Sequence, residues 1–233
     1  NCLTRAKFTA GKWKVTEHLQ VQQINCLVKD TGEPQRVMAG SQEHGLWISE
    51  NSGWNWENSG KTGFPIKSLA ILPCNSRESM YKPNTINAGC KPVSLFSSQD
   101  GGKTWVELKN LRKTRRFWWF SPAEPPDWSP YVIALALSPT NPNLILAGIE
   151  IGGVLRSEDG GKSWSKHKRG AQLDCHSLKF HHKQGEYIYQ GGGSGPALST
   201  DGGITWRQPK NGLGKKYGWM VAADPERPEV WYL

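Results

Sequence analysis

The 233-residue chain contains no apolar run near the ~20 residues that a membrane-crossing helix requires; its longest, 131–137, falls far short. It has five cysteines, Cys2, Cys26, Cys74, Cys90 and Cys175, an odd number with no Cys-x-x-Cys pair. That usage argues against a disulfide framework and against a zinc site, and nothing else in the chain implies a metal or a cofactor. Cys74 and Cys90 flank a loop that they are able to bridge, and buried free thiols are the other reading. No Asn-x-Ser/Thr sequon occurs and no leader pattern opens the chain, so a reducing, cytoplasmic setting is expected. Acidic residues are the scarcer charge: 20 Asp+Glu stand against 29 Lys+Arg, a net charge of +9. A basic surface suits an anionic glycan, an acidic partner or nucleic acid. No basic stripe recurs along the chain, which makes nucleic acid the weakest of the three.

Aromatics are plentiful, at 10% with 12 tryptophans, and this excludes a disordered chain. The 26 glycines and 15 prolines suit many short strands joined by turns better than helices. The tryptophans close a repeated motif, Ser-x-Asp-x-Gly-x-x-Trp. Three copies are intact: Ser98, Asp100, Gly102 and Trp105; Ser157, Asp159, Gly161 and Trp164; Ser199, Asp201, Gly203 and Trp206. A fourth, with Ser49, Gly53 and Trp56, has Asn51 in place of Asp, and an eroded fifth spans 6–13 and ends on Trp13. The copies begin at 6, 49, 98, 157 and 199. The motif reads as a hairpin turn, in which Asp accepts backbone amides, Gly supplies positive φ and Trp plugs the start of the returning strand.

A second repeat lies upstream of each motif. Strands ending in glycine at Gly40, Gly89, Gly148 and Gly191 follow proline-rich turns, and apolar strands precede those at 24–28, 66–72, 132–137, 175–180 and 219–223. Four short strands in each period of roughly 40–50 residues predict an all-β β-propeller with four-stranded antiparallel blades.

These motifs resemble the BNR/Asp-box repeat family, which includes sialidases and tandem-propeller xyloglucanases. Segments 116–126 and 224–232 further resemble a bacterial sialidase-like, glycosyl-hydrolase-like subgroup of unassigned activity. The resemblance covers essentially the whole chain and implies one propeller domain over 1–233. Four full blades would be flanked by two half-blades, and the parent ring would have six or seven blades. A sialidase would hold its substrate carboxylate with arginines from separate blades. Here the nearest string, 63–67, lacks that arginine, so the resemblance does not carry sialidase residues over.

Blade geometry puts the first-to-second and third-to-fourth turns on one face and the remaining loops on the other, where ligands are expected. The inserted connection 107–130 collects Arg112, Arg115, Arg116, Trp118 and Trp119, suited to gripping an anionic group and stacking on a sugar. Other candidate binding residues on this face are His44, His176, Tyr217 and Trp219. Glycoside cleavage needs two carboxylates about 5–10 Å apart, and Glu150, Glu43 and Asp174 are the candidates. The expected function is a module that binds a carbohydrate, an anionic ligand or a protein partner. The alternative is a glycoside hydrolase using those carboxylates as acid and base.

Overall fold

The computed structural model describes residues 2–60, 63–72, 85–114, 119, 129–209, 211–214 and 216–233. Of the residues singled out above, Cys74, Arg115, Arg116 and Trp118 lie outside these. The described chain is all-β apart from one turn of helix, and its strands form separate antiparallel sheets.

A hairpin comes first, β1 (Leu3–Thr9) with β2 (Lys12–His18). The first full sheet has β3 (Ile24–Lys29), β4 (Val37–Ser41), β5 (Leu46–Ser49) and β6 (Glu57–Asn58). The second has β7 (Ile66–Ile71), β8 (Ile86–Cys90), β9 (Ser94–Ser98) and β10 (Val106–Glu107), followed by α1 (Asn110–Lys113). The third has β11 (Val132–Leu137), β12 (Ile145–Ile149) and β13 (Gly153–Ser157). The fourth has β14 (Cys175–Phe180), β15 (Ile188–Gly192) and β16 (Gly195–Ser199), and β17 (Ala222–Ala223) then pairs with β18 (Trp231–Tyr232).

The leading strands β3, β7, β11 and β14 pack against one another in sequence, so successive sheets stack side by side around a shared inner edge. Apolar side chains fill each sheet-to-sheet gap. Met38, Leu46, Ile66 and Ile86 lie between the first and second sheets, Leu95, Val132 and Ile149 between the second and third, and Leu146, Cys175 and Ile188 between the third and fourth. The strand-ending glycines exist for this contact. A Cβ on Gly40 would strike Ile66, one on Gly89 would strike Ser68 and Val132, and one on Gly148 would strike the Cys175 thiol.

The four motif turns share one set of hydrogen bonds. In each, the serine hydroxyl takes the amide of the residue four positions on, at 2.8 Å, and donates to the Asn51, Asp100, Asp159 or Asp201 side chain. Gly53, Gly102, Gly161 and Gly203 all have positive φ. The indoles of Trp56, Trp164 and Trp206 donate to the carbonyls of Gly53, Gly161 and Gly203. Three of the four turns are tied to the preceding first-to-second turn, through Ser52 to Gln35, Gly160 to Asn143 and Gly202 to Glu186, so both turn types share a face.

Two expectations need correction. The 6–13 copy is no eroded version of this turn. β1 runs straight through it into a two-residue turn, Ala10-Gly11, with both φ positive, and Trp13 pairs with Phe8 and stays two-thirds exposed. The third and fourth sheets also have three strands rather than four. After Trp164 and Trp206 the chain returns only far enough for single contacts, Ser165 to Arg156 and Arg207 with Leu198. The polar run 165–169 offers no alternating pattern to extend the first, and Pro209 lacks the amide to extend the second.

Candidate functional site

Each leading strand carries a bulge at its second residue: Asn25, Lys67, Ile133 and His176 fall where the register to the next strand shifts. A bulge re-aims its side chain. Asn25 Nδ2 donates to Ile66 O of the following sheet at 2.9 Å, and the Lys67 ammonium lies 5.2 Å from the centre of the Tyr131 ring. His176 follows the same rule. Its Nδ1 meets Gly218 O at 3.0 Å, and because a carbonyl only accepts, Nδ1 carries the proton.

This latch brings four of the sequence-predicted residues together. The His176 ring stacks on Trp219, with centres 4.4 Å apart and planes 19° apart, and tilts against Tyr217 at 5.0 Å. Its Nε2 approaches Asp174 Oδ1 at 3.3 Å, an ion-pair distance in which the hydrogen-bond geometry is unaligned. Asp174 keeps its carboxylate close to the Gly193 backbone, in the space that a Cβ would fill. A reciprocal amide pair holds the preceding segment: Gln190 Oε1 accepts from Gln172 N at 2.8 Å and Gln190 Nε2 donates to Gln172 O at 3.0 Å. The imidazole is buried, whereas Tyr217 is 53% and Trp219 60% exposed, so both present open aromatic surface.

A cavity of about 340 Å³ adjoins this cluster, lined by Ser194, Pro196, Gln208, Pro209, Leu213 and Lys216. Ser194 follows Gly193, and Lys216 precedes Tyr217. The volume lies within the usual range for small-ligand sites.

Glu150 is buried at the start of the β12–β13 loop. That loop is tied to the Asp174 segment, because Gly152 N and Gly153 N both donate to Leu173 O. Burial pushes the Cys175 thiol up to about 12, against a hydrogen bond from Gln190 and with smaller contributions from Asp174 and Glu150. Glu43 is exposed on the β4–β5 loop of the first sheet, beside His44, whose amide donates to Ser41 Oγ and whose carbonyl accepts from Asn58. Glu43 is not the counterpart of Glu150. The amides of Gln42, Lys91, Glu150 and Gly193 each bond the residue before a leading strand, so Gln42 holds that place in the first sheet.

Two candidates of the inserted connection lie among the described residues. Arg112 is taken by Glu107, at 2.5 Å, and Trp119 is buried in the core among Leu111, Val132 and Ile149. Trp119 does border a second cavity, of about 310 Å³, with Thr114, Gly152, His167 and Leu173. No group of three or more potential metal ligands occurs among the described residues.

Stacked antiparallel sheets with turns tied on one face define a propeller-type fold. Solved structures agree. The chain is similar to an ancestral GH74 enzyme (TM-score 0.66, 20% identity, over 88% of this chain and 26% of that one) and to the GH74 enzyme of Niastella koreensis (0.54, 14%, 84% and 33%). It is also similar to a chain of the COPII outer coat vertex on membranes (0.62, 11%, 92% and 56%). The chain thus spans well under two thirds of each. At these identities the likeness shows the fold alone, and it embraces both a glycosidase and a coat protein. No protein-family model and no curated protein matches the chain. No helix among the described residues is long and apolar enough to cross a membrane.

Proposed function

We propose that the chain forms one propeller-type module that binds carbohydrate at the mouth framed by Asp174, His176, Tyr217 and Trp219. The observation that carries this reading is the exposed Tyr217–Trp219 surface braced by His176 beside a part-exposed carboxylate. Flat aromatic faces receive the apolar faces of sugar rings, and Asp174 accepts hydroxyl protons. The neighbouring cavity and its Lys216 leave room for further sugar units or for an acidic one. The described cysteines, Cys2, Cys26, Cys90 and Cys175, are free, which supports a reducing, cytoplasmic setting.

Affinity electrophoresis through gels carrying soluble xyloglucan, cellulose derivatives or polygalacturonate tests the reading. One of these is expected to retard the protein, and Trp219→Ala to relieve the retardation at least tenfold, with Asp174→Asn weakening it less. Equal retardation of wild type and Trp219→Ala defeats the proposal.

The second reading, a glycoside hydrolase, rests on the Glu150 loop being tied to the Asp174 segment through Leu173 O. Glu150 is held from water as a general acid would be. Release of reducing sugar that disappears in both Glu150→Gln and Asp174→Asn selects this reading over binding alone.

A further inference from the structure

The opposite end of the inner edge holds a third cavity, of about 230 Å³, on the face shared by the turns. All four leading strands contribute to it. Its walls are apolar: Val28, Ala70, Leu135, Ala136 and Leu178. Two ammonium groups, from Lys29 and Lys179, interrupt this lining, together with Thr31, His181 and His182.

Their register is informative. Val28, Ala70, Ala136 and Lys179 occupy one position along the four strands, pairing with the second residue of β4, β8, β12 and β15. Lys29, Ile71, Leu137 and Phe180 occupy the next. Each lysine therefore stands where the other strands place apolar side chains. Both are exposed, and neither forms an ion pair among the described residues.

Several acids of this face are already engaged. Asp30 accepts the amides of Gly32 and Glu33, and Glu33 and Glu50 pair with Arg36. Asp224 pairs with Arg227, and Glu226 with Lys183. No carboxylate lines the cavity among the described residues. His182, also on its wall, is held below the ordinary imidazole value by desolvation and then by His181 and Lys183, with Glu226 opposing and Lys179 adding a smaller push.

We infer that this inner cavity binds a small amphipathic carboxylate, its alkyl or aryl body between the leading strands and its head group on Lys29 and Lys179. The apolar walls select a hydrophobic body, and two ammoniums with no ion-pair partner among the described residues select an anion. The volume, below the usual drug-sized range, suits a small ligand. The site lies at the other end of the leading strands from the aromatic mouth and does not depend on it.

Calorimetric titration with octanoate tests the inference, with acetate supplying the head alone and octanol the tail alone. One saturable octanoate site is expected in the millimolar range or tighter, with both controls at least tenfold weaker. Lys29→Gln combined with Lys179→Gln should weaken octanoate at least tenfold, and Trp219→Ala should leave it unchanged. The exposed lysines can be replaced without touching the core, so Lys29→Glu with Lys179→Glu should fold and prefer octylammonium over octanoate. No saturable octanoate binding overturns the inference, as does octanoate binding that is indifferent to both lysine pairs.

Discussion

His176 presses its imidazole against the Trp219 indole, 4.4 Å between centres, while its Nδ1–H is spent on the Gly218 carbonyl. The same side chain therefore latches the fourth sheet to the segment that leads into β17 and braces an exposed aromatic surface. Asn25 performs only the first task, on Ile66 O.

That comparison separates the two roles. His176→Asn should retain the latch, as Asn25 does, and stay within about 1 kcal/mol of wild type in urea unfolding. His176→Ala leaves Gly218 O without its donor and should cost about 1–3 kcal/mol. Both variants remove the stacked ring, so both should alter Trp219 fluorescence and weaken the carbohydrate retention proposed above. Equal stability of the two variants would show that the Gly218 bond contributes nothing.

Ser52 sits at φ 58° in the first motif turn, where the other three turns have Gly101, Gly160 and Gly202 at φ 70–76°. A left-handed backbone disfavours any residue with a Cβ, and Ser52 is exposed, so its side chain offers little in return. Ser52→Gly should therefore raise stability by about 0.5–1 kcal/mol, measured by thermal unfolding. A decrease would mean that the lost rigidity of the unfolded chain outweighs the relieved strain.

The leading strands 132–137 and 175–180 were legible to the residue, the first as a short apolar run between proline-containing segments and the second by its place in the repeat ahead of Gly191. The motif turns were legible because they repeat. What repetition could not show was register. The bulges at Asn25, Lys67, Ile133 and His176 arise from pairing with the next strand and leave no local mark in composition. The one-residue offset between Glu43 and Glu150 escaped for the same reason. Lys29 and Lys179 did carry a signal, a charge inside an apolar column, but it becomes visible only once the four strands are aligned by their partners. Burial of Trp119 was hidden because a tryptophan serves equally well as a core plug and as a platform.

Gly148 tests the packing between sheets. Its missing side chain admits the Cys175 thiol, and an alanine Cβ would also press on Ala134 and Leu178 at 3.2 Å. All three neighbours belong to leading strands whose backbones are fixed by the ladder, so they cannot withdraw cheaply. Gly148→Ala should cost about 1–3 kcal/mol in urea unfolding. Adding Cys175→Ser, which removes little volume, should recover less than half of the loss. Gly148→Ala at wild-type stability would mean that the sheets can part without cost.

Acid should expose the motif turns. Hydrogen bonds from the Ser163 hydroxyl and amide hold the Asp159 carboxyl down at about 2, and those from Thr104 take Asp100 lower still. Arg227 and the turn amides lower Asp224 to about 2. With the folded values depressed, the unfolded chain takes up these protons first, so the stabilisation is complete above about pH 5 and is lost as pH falls toward about 2. The urea midpoint should be flat above that window and decline below it. Asp100→Asn with Asp159→Asn should lower the midpoint at neutral pH and make the acid decline shallower, because the titrating carboxylates are gone while an acceptor oxygen remains, as Asn51 already shows in the first turn. An unchanged acid slope in that double variant would place the acid sensitivity elsewhere in the chain.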